Sequence, residues 1–331
     1  MTSIDLGLGT IRLQQEATEL SVYGTRGGSP ELRDALAALH GVDPTEVVVT
    51  SGASLGLVAL LAGHERSAPV LIPRPYYPGY LGMCQALGHE VRSYDARAIS
   101  DPRALLADAP AGSLLLLNTP HNPTGAVVDE RIIAHLVSQA PDVRVVVDRA
   151  YAGLCFTRPD DDGLTGVIPG CASVFSLSKR YAIPGARVGY VIAEASLTAE
   201  VELWHWRLAM TPAAPSQTAA LAALENDQRP SLLRTLTERR SLALKLARAA
   251  GLRADAPDGG LFLWCRLCQS TDITATALLQ QAEVDGVPGP AFGASHHSFR
   301  LSFAVPVEDL QEAFGRIGRC LESSINAGVV R

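Results

Sequence analysis

Continuous runs of valine, isoleucine and leucine alternate with helical patterns over the first two hundred residues, and this alternation restricts the fold more than any other feature. Between the runs lie segments such as SPELRDALAAL, in which Ser29 is placed to cap a helix that begins at Pro30, and DERIIAHLVSQA, which starts at Asp129. A strand buried on both faces reads as an unbroken apolar run. The sequence therefore predicts an α/β fold whose large, mostly parallel sheet is sandwiched between helices. The predicted strands are 46–50, 69–73, 113–118, 143–148, 172–176 and 187–193.

A different pattern follows this predicted sheet. From about residue 195 to residue 250 the sequence is helical, with prolines as punctuation. Two short strand patterns, GGLFLWCRL and SFRLSFAV, come next, and the amphipathic segment VEDLQEAFGRIGRCLE follows them. We predict a large domain over residues 27–228, and a smaller C-terminal α/β domain over residues 229–331 that residues 1–26 complete.

Composition excludes several classes of protein. The chain has 331 residues, 47% of them hydrophobic, which is enough to bury a large core. Its formal net charge is -6 and its basic residues are scattered, so nucleic acid is not an expected partner. No apolar run approaches the roughly 20 residues of a membrane span, and no secretory leader is evident. Because the six cysteines lie mostly in apolar segments, we expect reduced core thiols and a cytoplasmic protein.

Ligands bind open α/β sheets at the carboxyl ends of the strands, so the residues that follow each apolar run are the candidates for chemistry. After the strand 46–50 the chain continues through Gly52, Ala53 and Ser54 into a helical pattern. Small residues at this position let backbone amides and a helix N-terminus approach an anion such as a phosphate. An ordinary strand–turn–helix connection is the alternative interpretation.

Two further strands end in polar residues. The strand 113–118 leads into NTPHNPTG, where flanking prolines could hold the amide of Asn122 rigidly toward a ligand, although a plain turn is also consistent with this loop. The strand 143–148 ends in Asp148, and its apolar surroundings require that the carboxylate have a cationic or protonated partner. That partner could be a ligand, or an arginine or lysine in a buried ion pair.

The stretch SLSKRYAIPGARVGY contains a lysine and an arginine in a constrained setting. A lysine that loses its proton can form a Schiff base with a carbonyl compound, which gives Lys179 a chemical reason to lie there. Arg187, with serine hydroxyls nearby, suits a phosphate dianion. The four strand ends therefore predict an anion cradle, a fixed amide, a carboxylate and a reactive amine in one site.

In this order, the motifs resemble those of the fold-type I, pyridoxal-phosphate-dependent aminotransferases of class I/II, and the resemblance covers nearly the whole chain. It implies that Lys179 forms the Schiff base with the cofactor aldehyde and that Asp148 pairs with the pyridine nitrogen. Tyr77, in PRPYYPGY, aligns with the aromatic residue that stacks on the cofactor ring, and these three are the implied catalytic residues. The further implied cofactor contacts are Ser176, Ser178 and Arg187 at the phosphate, and Asn122 and Tyr151 at the phenolic oxygen. The anion site predicted at Gly52, Ala53 and Ser54 is expected to bind the same phosphate.

The resemblance also implies substrate contacts and a partner subunit. Arg300, in SFRLSFA, aligns with the arginine that grips the substrate α-carboxylate, and Asn122 and Gly9 are further implied substrate-binding residues. Tyr23, in YGTRGG, aligns with a tyrosine that the family donates across its dimer interface to the phosphate. A homodimer with shared active sites is the expected assembly.

The implied reaction moves an amino group between an L-amino acid and a 2-oxo acid through the Schiff base at Lys179. A lyase, cyclase or oxidase that acts on a specialised amino acid with the same cofactor is the alternative, because the segment before Tyr23 is short and Gly9 lacks the following proline of the family pattern. Arg149 replaces the usual glutamate after Asp148. Since neighbouring strand residues point to opposite faces, we expect the substitution to leave Asp148 undisturbed.

Several tempting features favour structural roles. The CRLC stretch, with Cys265 and Cys268, has no second cysteine pair and no clustered histidines to complete a zinc site. His121 and His296 are expected to be loop residues. A non-catalytic scaffold is disfavoured, since it would have no chemical need for the lysine, the aspartate, the asparagine and the phosphate-binding arginine together.

Overall fold

The computed structural model describes residues 23–101, 105–106, 109–158, 163–267 and 273–328. These residues form two sheets with helices packed on them. The strands of the larger sheet are β1 (Val47–Thr50), β2 (Val70–Arg74), β3 (Val91–Asp95), β4 (Leu114–Asn118), β5 (Arg144–Arg149), β6 (Cys171–Ser176) and β7 (Gly189–Ile192).

The strand order of this sheet is β1-β7-β6-β5-β4-β2-β3. Strand β7 is antiparallel to both of its neighbours, and the remaining pairs are parallel, so the prediction of a mostly parallel sheet is confirmed. Strand β3 has no counterpart among the predicted strands. Its sequence, VRSYD, is polar and its residues are half-buried or exposed, as suits the edge of a sheet.

Ten α-helices are described, and the two helix starts predicted from capping residues are confirmed. Ser29 caps the first helix by accepting a hydrogen bond from the Leu32 amide at 3.3 Å, and Asp129 caps the fourth through the Arg131 amide at 2.9 Å. The helices are α1 (Pro30–His40), α2 (Ala53–Ala62), α3 (Pro78–Ala86), α4 (Glu130–Gln139), α5 (Leu177–Arg180), α6 (Ala195–Ala209), α7 (Ala214–Glu225), α8 (Arg229–Ala249), α9 (Ala275–Gln281) and α10 (Val307–Gly328).

The central strands of the larger sheet are buried on both faces. On β4, Leu114 and Leu116 pack into the layer formed by α2 and α3, whereas Leu115 and Leu117 pack into the layer that includes α4. This two-sided burial explains why the strand reads as an unbroken leucine run. None of the described helices is long and apolar enough to cross a membrane.

The smaller sheet is antiparallel and has the order β10-β11-β9-β8. Its strands β9 and β11 are the two strand patterns predicted near the C-terminus, and a core shared with α8, α9 and α10 covers the sheet. The register places Arg300 on β11 opposite Trp264 on β9. The strands are β8 (Arg253–Ala254), β9 (Phe262–Arg266), β10 (Val287–Pro288) and β11 (Ser298–Ser302).

Candidate active site

A cavity of about 340 Å³ lies at the carboxyl ends of β1, β4, β5 and β6, where it is also lined by Arg300 from the smaller sheet. The parallel register sets Asn118 beside Asp148 and Asp148 beside Val174, so adjacent strands deliver their terminal residues to the same edge. Most of the predicted site residues meet here. Those lining the cavity are Ala53, Ser54, Tyr77, Asn122, Asp148, Tyr151, Ser176, Ser178, Lys179, Arg187 and Arg300.

Lys179 is half-buried on the short helix α5, which begins where β6 ends. Ser176 caps this helix by accepting a hydrogen bond from the Ser178 amide at 3.2 Å. Burial lowers the pKa of the Lys179 ammonium, and the positive charges of Arg187 and Arg300 lower it further. The site therefore makes the neutral amine, the form that can attack a carbonyl carbon, more accessible than it is for an exposed lysine.

The anion cradle is built where β1 turns into α2. Gly52 has a φ of +81°, which allows the chain to turn and leaves the Ala53 and Ser54 amides at the first turn of α2 without intrahelical partners. The Arg187 guanidinium lies so close that a Cβ on Gly52 would be 2.7 Å from its Nη2 atom. Two free amides, a helix N-terminus and a guanidinium converge on one spot, which suits a phosphate.

Strand β7 begins directly against this cradle. A Cβ added to Gly189 would lie 2.3 Å from the Ala53 nitrogen, 2.6 Å from the Gly52 carbonyl carbon and 2.7 Å from the Phe175 oxygen. All three contacts are with backbone atoms, so no side-chain rotation could relieve them. The sequence therefore needs a glycine here, and the strand that follows Arg187 holds the cradle in place.

Asp148 is buried at the end of β5, and its partner is neutral rather than cationic. The Tyr80 hydroxyl donates a hydrogen bond to Oδ2 at 2.5 Å, and the Ala150 amide donates one to Oδ1 at 2.9 Å. Burial raises the pKa of the Asp148 carboxyl, and these two hydrogen bonds oppose that rise. The ion-pair alternative is thus absent from the described residues, and the carboxylate faces the cavity.

Tyr80 is a site residue that sequence reasoning missed. It is fully buried on α3, three residues after Tyr77, so the two side chains lie on one side of the helix with ring centroids 5.3 Å apart. The PYYPGY stretch contained the necessary signal, since a tyrosine one helical turn beyond a site aromatic can reach the same cavity.

A chain of hydrogen bonds joins the asparagine loop to the smaller sheet. Arg300 Nη1 donates to Asn122 Oδ1 at 2.8 Å, and Asn122 Nδ2 donates to the Tyr151 hydroxyl at 3.5 Å. The Asn122 backbone amide is itself anchored, because it donates to Asn118 Oδ1 at 2.7 Å. The Arg300 guanidinium lies 3.9 Å from the ring centroid of Phe262, which fixes its plane at the mouth of the cavity.

Arg149 points away from the cavity. Its guanidinium pairs with both carboxylate oxygens of Glu130 at the start of α4, and its Nε donates to Ser173 Oγ at 3.0 Å. The extra charge is therefore compensated on the opposite face of the sheet, as strand alternation leads one to expect.

Other predicted residues lie outside the cavity or outside the described residues. Tyr23 is 47% exposed and does not line the cavity, and Gly9 and Cys268 lie outside the described residues. His296 is exposed. His121 is buried, with one ring nitrogen 2.7 Å from Thr124 Oγ1 and the other 3.1 Å from a backbone carbonyl, and burial lowers its pKa to about 4. That environment is typical of a structural histidine.

Comparison with known proteins places these features in context. The family profile described as aminotransferase class I and II matches residues 8–317. A valine–pyruvate aminotransferase from Mycobacterium tuberculosis is 33% identical, over 91% of this chain and 84% of its own length. An arginine–pyruvate transaminase from Pseudomonas aeruginosa is 31% identical, over 90% and 82% respectively. The crystal structure of an aspartate aminotransferase from Thermotoga maritima superposes with a TM-score of 0.81 at 26% identity, over 91% of this chain and 84% of that one.

Proposed function

The chain belongs to the class I and II aminotransferase family and transfers amino groups with pyridoxal phosphate, and we propose that Lys179 is the residue that holds the cofactor aldehyde. The observation that carries this proposal is the position of Lys179. It is a half-buried amine with a lowered pKa, and it lines one cavity with the carboxylate of Asp148 and the guanidinium of Arg187. The substrates are accordingly an amino acid and a 2-oxo acid.

The side chains of the cavity fit the cofactor group by group. The amides of Ala53 and Ser54 and the guanidinium of Arg187 suit the phosphate, because they offer donors and positive charge to a dianion. Asp148, as a buried carboxylate, suits a protonated ring nitrogen. Asn122 and Tyr151 offer an amide and a hydroxyl to the phenolic oxygen. When bound, pyridoxal phosphate supplies an aldehyde and a conjugated ring that withdraws electrons from the substrate α-carbon.

The protein residues then orient the substrate and move its proton. Arg300 binds the α-carboxylate through a bidentate fork, and its hydrogen bond to Asn122 and its packing on Phe262 limit the directions in which it can point. Lys179 Nζ, once free, would be the group that accepts the proton from the α-carbon, since burial and two neighbouring arginines lower its pKa and so increase the fraction present as the unprotonated amine. Asp148 holds a proton at the ring nitrogen.

Pyruvate is the amino acceptor that we infer. The cations that the described residues contribute to the cavity are Lys179, Arg187 and Arg300, and the cofactor and the α-carboxylate engage all three. The described lining therefore offers no further cation for a side-chain carboxylate, and a small 2-oxo acid with a neutral side chain fits it best. The names of the two relatives described above, both pyruvate-dependent, support the same acceptor. A higher kcat/KM for 2-oxoglutarate than for pyruvate would contradict the inference.

We also propose that the enzyme is a homodimer. Tyr23 is exposed, and a Cβ on the next residue, Gly24, would lie 3.5 Å from the Thr211 hydroxyl, so this segment runs beside the end of α6. Leu208 and Met210, which lie near that end, are 46% and 37% exposed. Apolar surface of this kind, next to a tyrosine that the family shares between subunits, fits a second copy of the chain. Light scattering should give twice the chain mass for the wild type, and Leu208→Asp should shift it to the monomer.

The chain offers an unusually clean test of the attachment site, because its sequence contains only two lysines, Lys179 and Lys245. Lys245 is exposed on α8 and does not line the cavity, so it is the matched control. We expect the wild type and Lys245→Ala to develop a visible absorption band with pyridoxal phosphate, and borohydride reduction should fix the added mass on the Lys179 peptide.

Function is tested in the same samples. L-Alanine should bleach the band as the cofactor takes up the amino group, and pyruvate should restore it, whereas Lys179→Ala should show neither change. Ammonia release or oxygen consumption in place of amino transfer would point to the lyase or oxidase alternative. A band that persists in Lys179→Ala and disappears in Lys245→Ala would overturn the assignment.

A further inference from the structure

A buried histidine lies behind the anion cradle and does not line the active-site cavity. His205 is on α6, which packs against α2 and β1, and only 1% of its surface is exposed. Its Nε2 atom accepts a hydrogen bond from the Ser51 backbone amide at 3.0 Å. Because a backbone amide can only donate, Nε2 must be unprotonated, and the ring proton is on Nδ1, which lies 3.4 Å from the Met210 carbonyl oxygen.

The hydrogen bond from the Ser51 amide to His205 lies in the turn that sets the conformation of the anion cradle. In the turn between β1 and α2, the Gly52 amide donates to the Thr50 carbonyl at 2.7 Å, and the Thr50 hydroxyl donates to the Gly52 carbonyl at 3.0 Å. With the Ser51 amide held by His205, each backbone amide of the turn has a protein partner. The first amides left to face an anion are therefore those of Ala53 and Ser54.

Loss of the His205 acceptor would leave the Ser51 amide without its partner at the start of the turn. An amide left without an acceptor is destabilising, so we expect its peptide plane to rotate toward a new acceptor. The Ser51–Gly52 peptide would rotate with it, and the Ala53 and Ser54 amides follow directly in the chain. A phosphate is the ligand group that would experience this change.

We propose that His205 is a positioning residue for the cofactor phosphate, acting through the Ser51 amide to fix the direction of the cradle. The proposal rests on the assignment of Ala53, Ser54 and Arg187 to the phosphate made above. It assigns a role to the VELWHWRLAM segment, which the proposed chemistry otherwise leaves unused.

The test compares a ligand that has the phosphate with one that lacks it. His205→Phe keeps a planar ring but has no acceptor, whereas His205→Gln places an amide oxygen close to the position of Nε2. The dissociation constants of the apoenzymes for pyridoxal phosphate and for pyridoxal are measured by absorption titration. His205→Phe should weaken pyridoxal phosphate about tenfold, equivalent to about 1.4 kcal/mol, and leave pyridoxal unchanged. His205→Gln should restore most of the affinity.

Two results would overturn the proposal: unchanged binding of pyridoxal phosphate by His205→Phe, or an equal loss for both ligands, which would indicate a general packing role. Arg187→Gln separates this failure from a failure of the phosphate assignment. If Arg187→Gln weakens only pyridoxal phosphate while His205→Phe has no effect, the histidine proposal alone is wrong. If Arg187→Gln does not discriminate between the ligands, the phosphate assignment is wrong as well.

If His205→Phe does not fold, a measurement on the wild type still tests the proposal. Nitrogen-15 spectra of histidine-labelled apoenzyme report which ring nitrogen of His205 carries the proton. The proposal requires the proton on Nδ1 and a bare Nε2. A proton on Nε2 would be incompatible with the Ser51 hydrogen bond and would refute it.

Discussion

The hydrogen bond from Tyr80 to Asp148 can be removed with almost no change in shape. Tyr80→Phe deletes one hydroxyl and keeps the ring that packs edge-on against Tyr77. Asp148 then retains only the Ala150 amide of its two described donors. Since a hydrogen bond to a charged group is worth about 1.5–3 kcal/mol, the carboxylate form of Asp148 becomes less favourable. If Asp148 pairs with the cofactor ring nitrogen as proposed, the proton between them would then lie closer to Asp148.

A ring nitrogen that has lost its proton withdraws electrons less well, so the chemical step slows. We expect kcat/KM to fall about 10-fold to 100-fold, which is the range that 1.5–3 kcal/mol covers. Tyr94→Phe is the matched control, because Tyr94 donates its hydroxyl to the Leu116 carbonyl at 2.9 Å and lies outside the active-site cavity. It should lose about 1 kcal/mol of stability and no activity. Wild-type kcat/KM in Tyr80→Phe, or equal losses in both variants, would refute the reasoning.

The same hydrogen bond should appear in the pH dependence of apoenzyme stability. Burial raises the pKa of Asp148 above its unfolded value of about 3.9, so the folded state binds the proton more tightly and the free energy of unfolding falls as the pH rises through the interval between the two values. Tyr80→Phe raises the folded pKa further and should widen the interval. Asp148→Asn should remove this contribution altogether. Urea denaturation of the three apoenzymes from pH 4 upward measures the difference, and identical slopes would contradict it.

Three more substitutions test separate parts of the structure. Gly189→Ala should weaken pyridoxal phosphate about tenfold or more, since the new Cβ would clash with the cradle backbone, whereas Gly185→Ala, with open space around it, should have no effect in the same titration. Arg300→Lys should raise the KM for the amino donor about tenfold and leave cofactor affinity unchanged, because the bidentate fork is lost. Glu130→Gln should lower the free energy of unfolding by about 1–3 kcal/mol, measured in urea, by leaving Arg149 buried without its partner; the half-exposed position of Glu130 limits the loss, and kcat should not change.

The strands of the larger sheet were predictable from the sequence where they are buried on both faces. The strands β2, β4, β5 and β6 are apolar on both faces and read as continuous runs, so their positions followed from the sequence. Strand β3 was not predictable in this way, because an edge strand in contact with solvent is under no pressure to be apolar. The antiparallel direction of β7 could not be inferred either, since direction depends on the path of the chain and not on the composition of the strand.

In the candidate site, likewise, the local sequence predicted some residues, whereas contacts between distant segments could not be predicted from it. Local chemistry indicated Lys179, Asp148 and Asn122, because each lies at the carboxyl end of a buried strand or within a few residues after it. Residue chemistry alone left the partner of Asp148 open between a ligand and a basic side chain, and the structure shows a phenol from α3 instead. The contact between Arg300 and Asn122 joins residues 178 positions apart, and no pattern within either segment encodes it. Only the resemblance to a family could place Arg300 at the site before the structure was known.

Burial shifts the pKa values of Lys179 and Asp148 in opposite directions, and in both cases the shift favours the neutral form. It lowers the pKa of Lys179 and raises that of Asp148, and each group then depends on its neighbours for the charge that it finally carries. The Tyr80 hydrogen bond favours the carboxylate of Asp148, while the positive charges of Arg187 and Arg300 disfavour the ammonium of Lys179. On the proposed assignments, a phosphate would neutralise Arg187 and an α-carboxylate would neutralise Arg300, so this opposition would weaken and Lys179 would become a stronger base as the substrate arrives. On those assignments Arg300 would affect the reaction in two ways: it would hold the substrate, and its occupancy would set how readily the lysine accepts the α-proton.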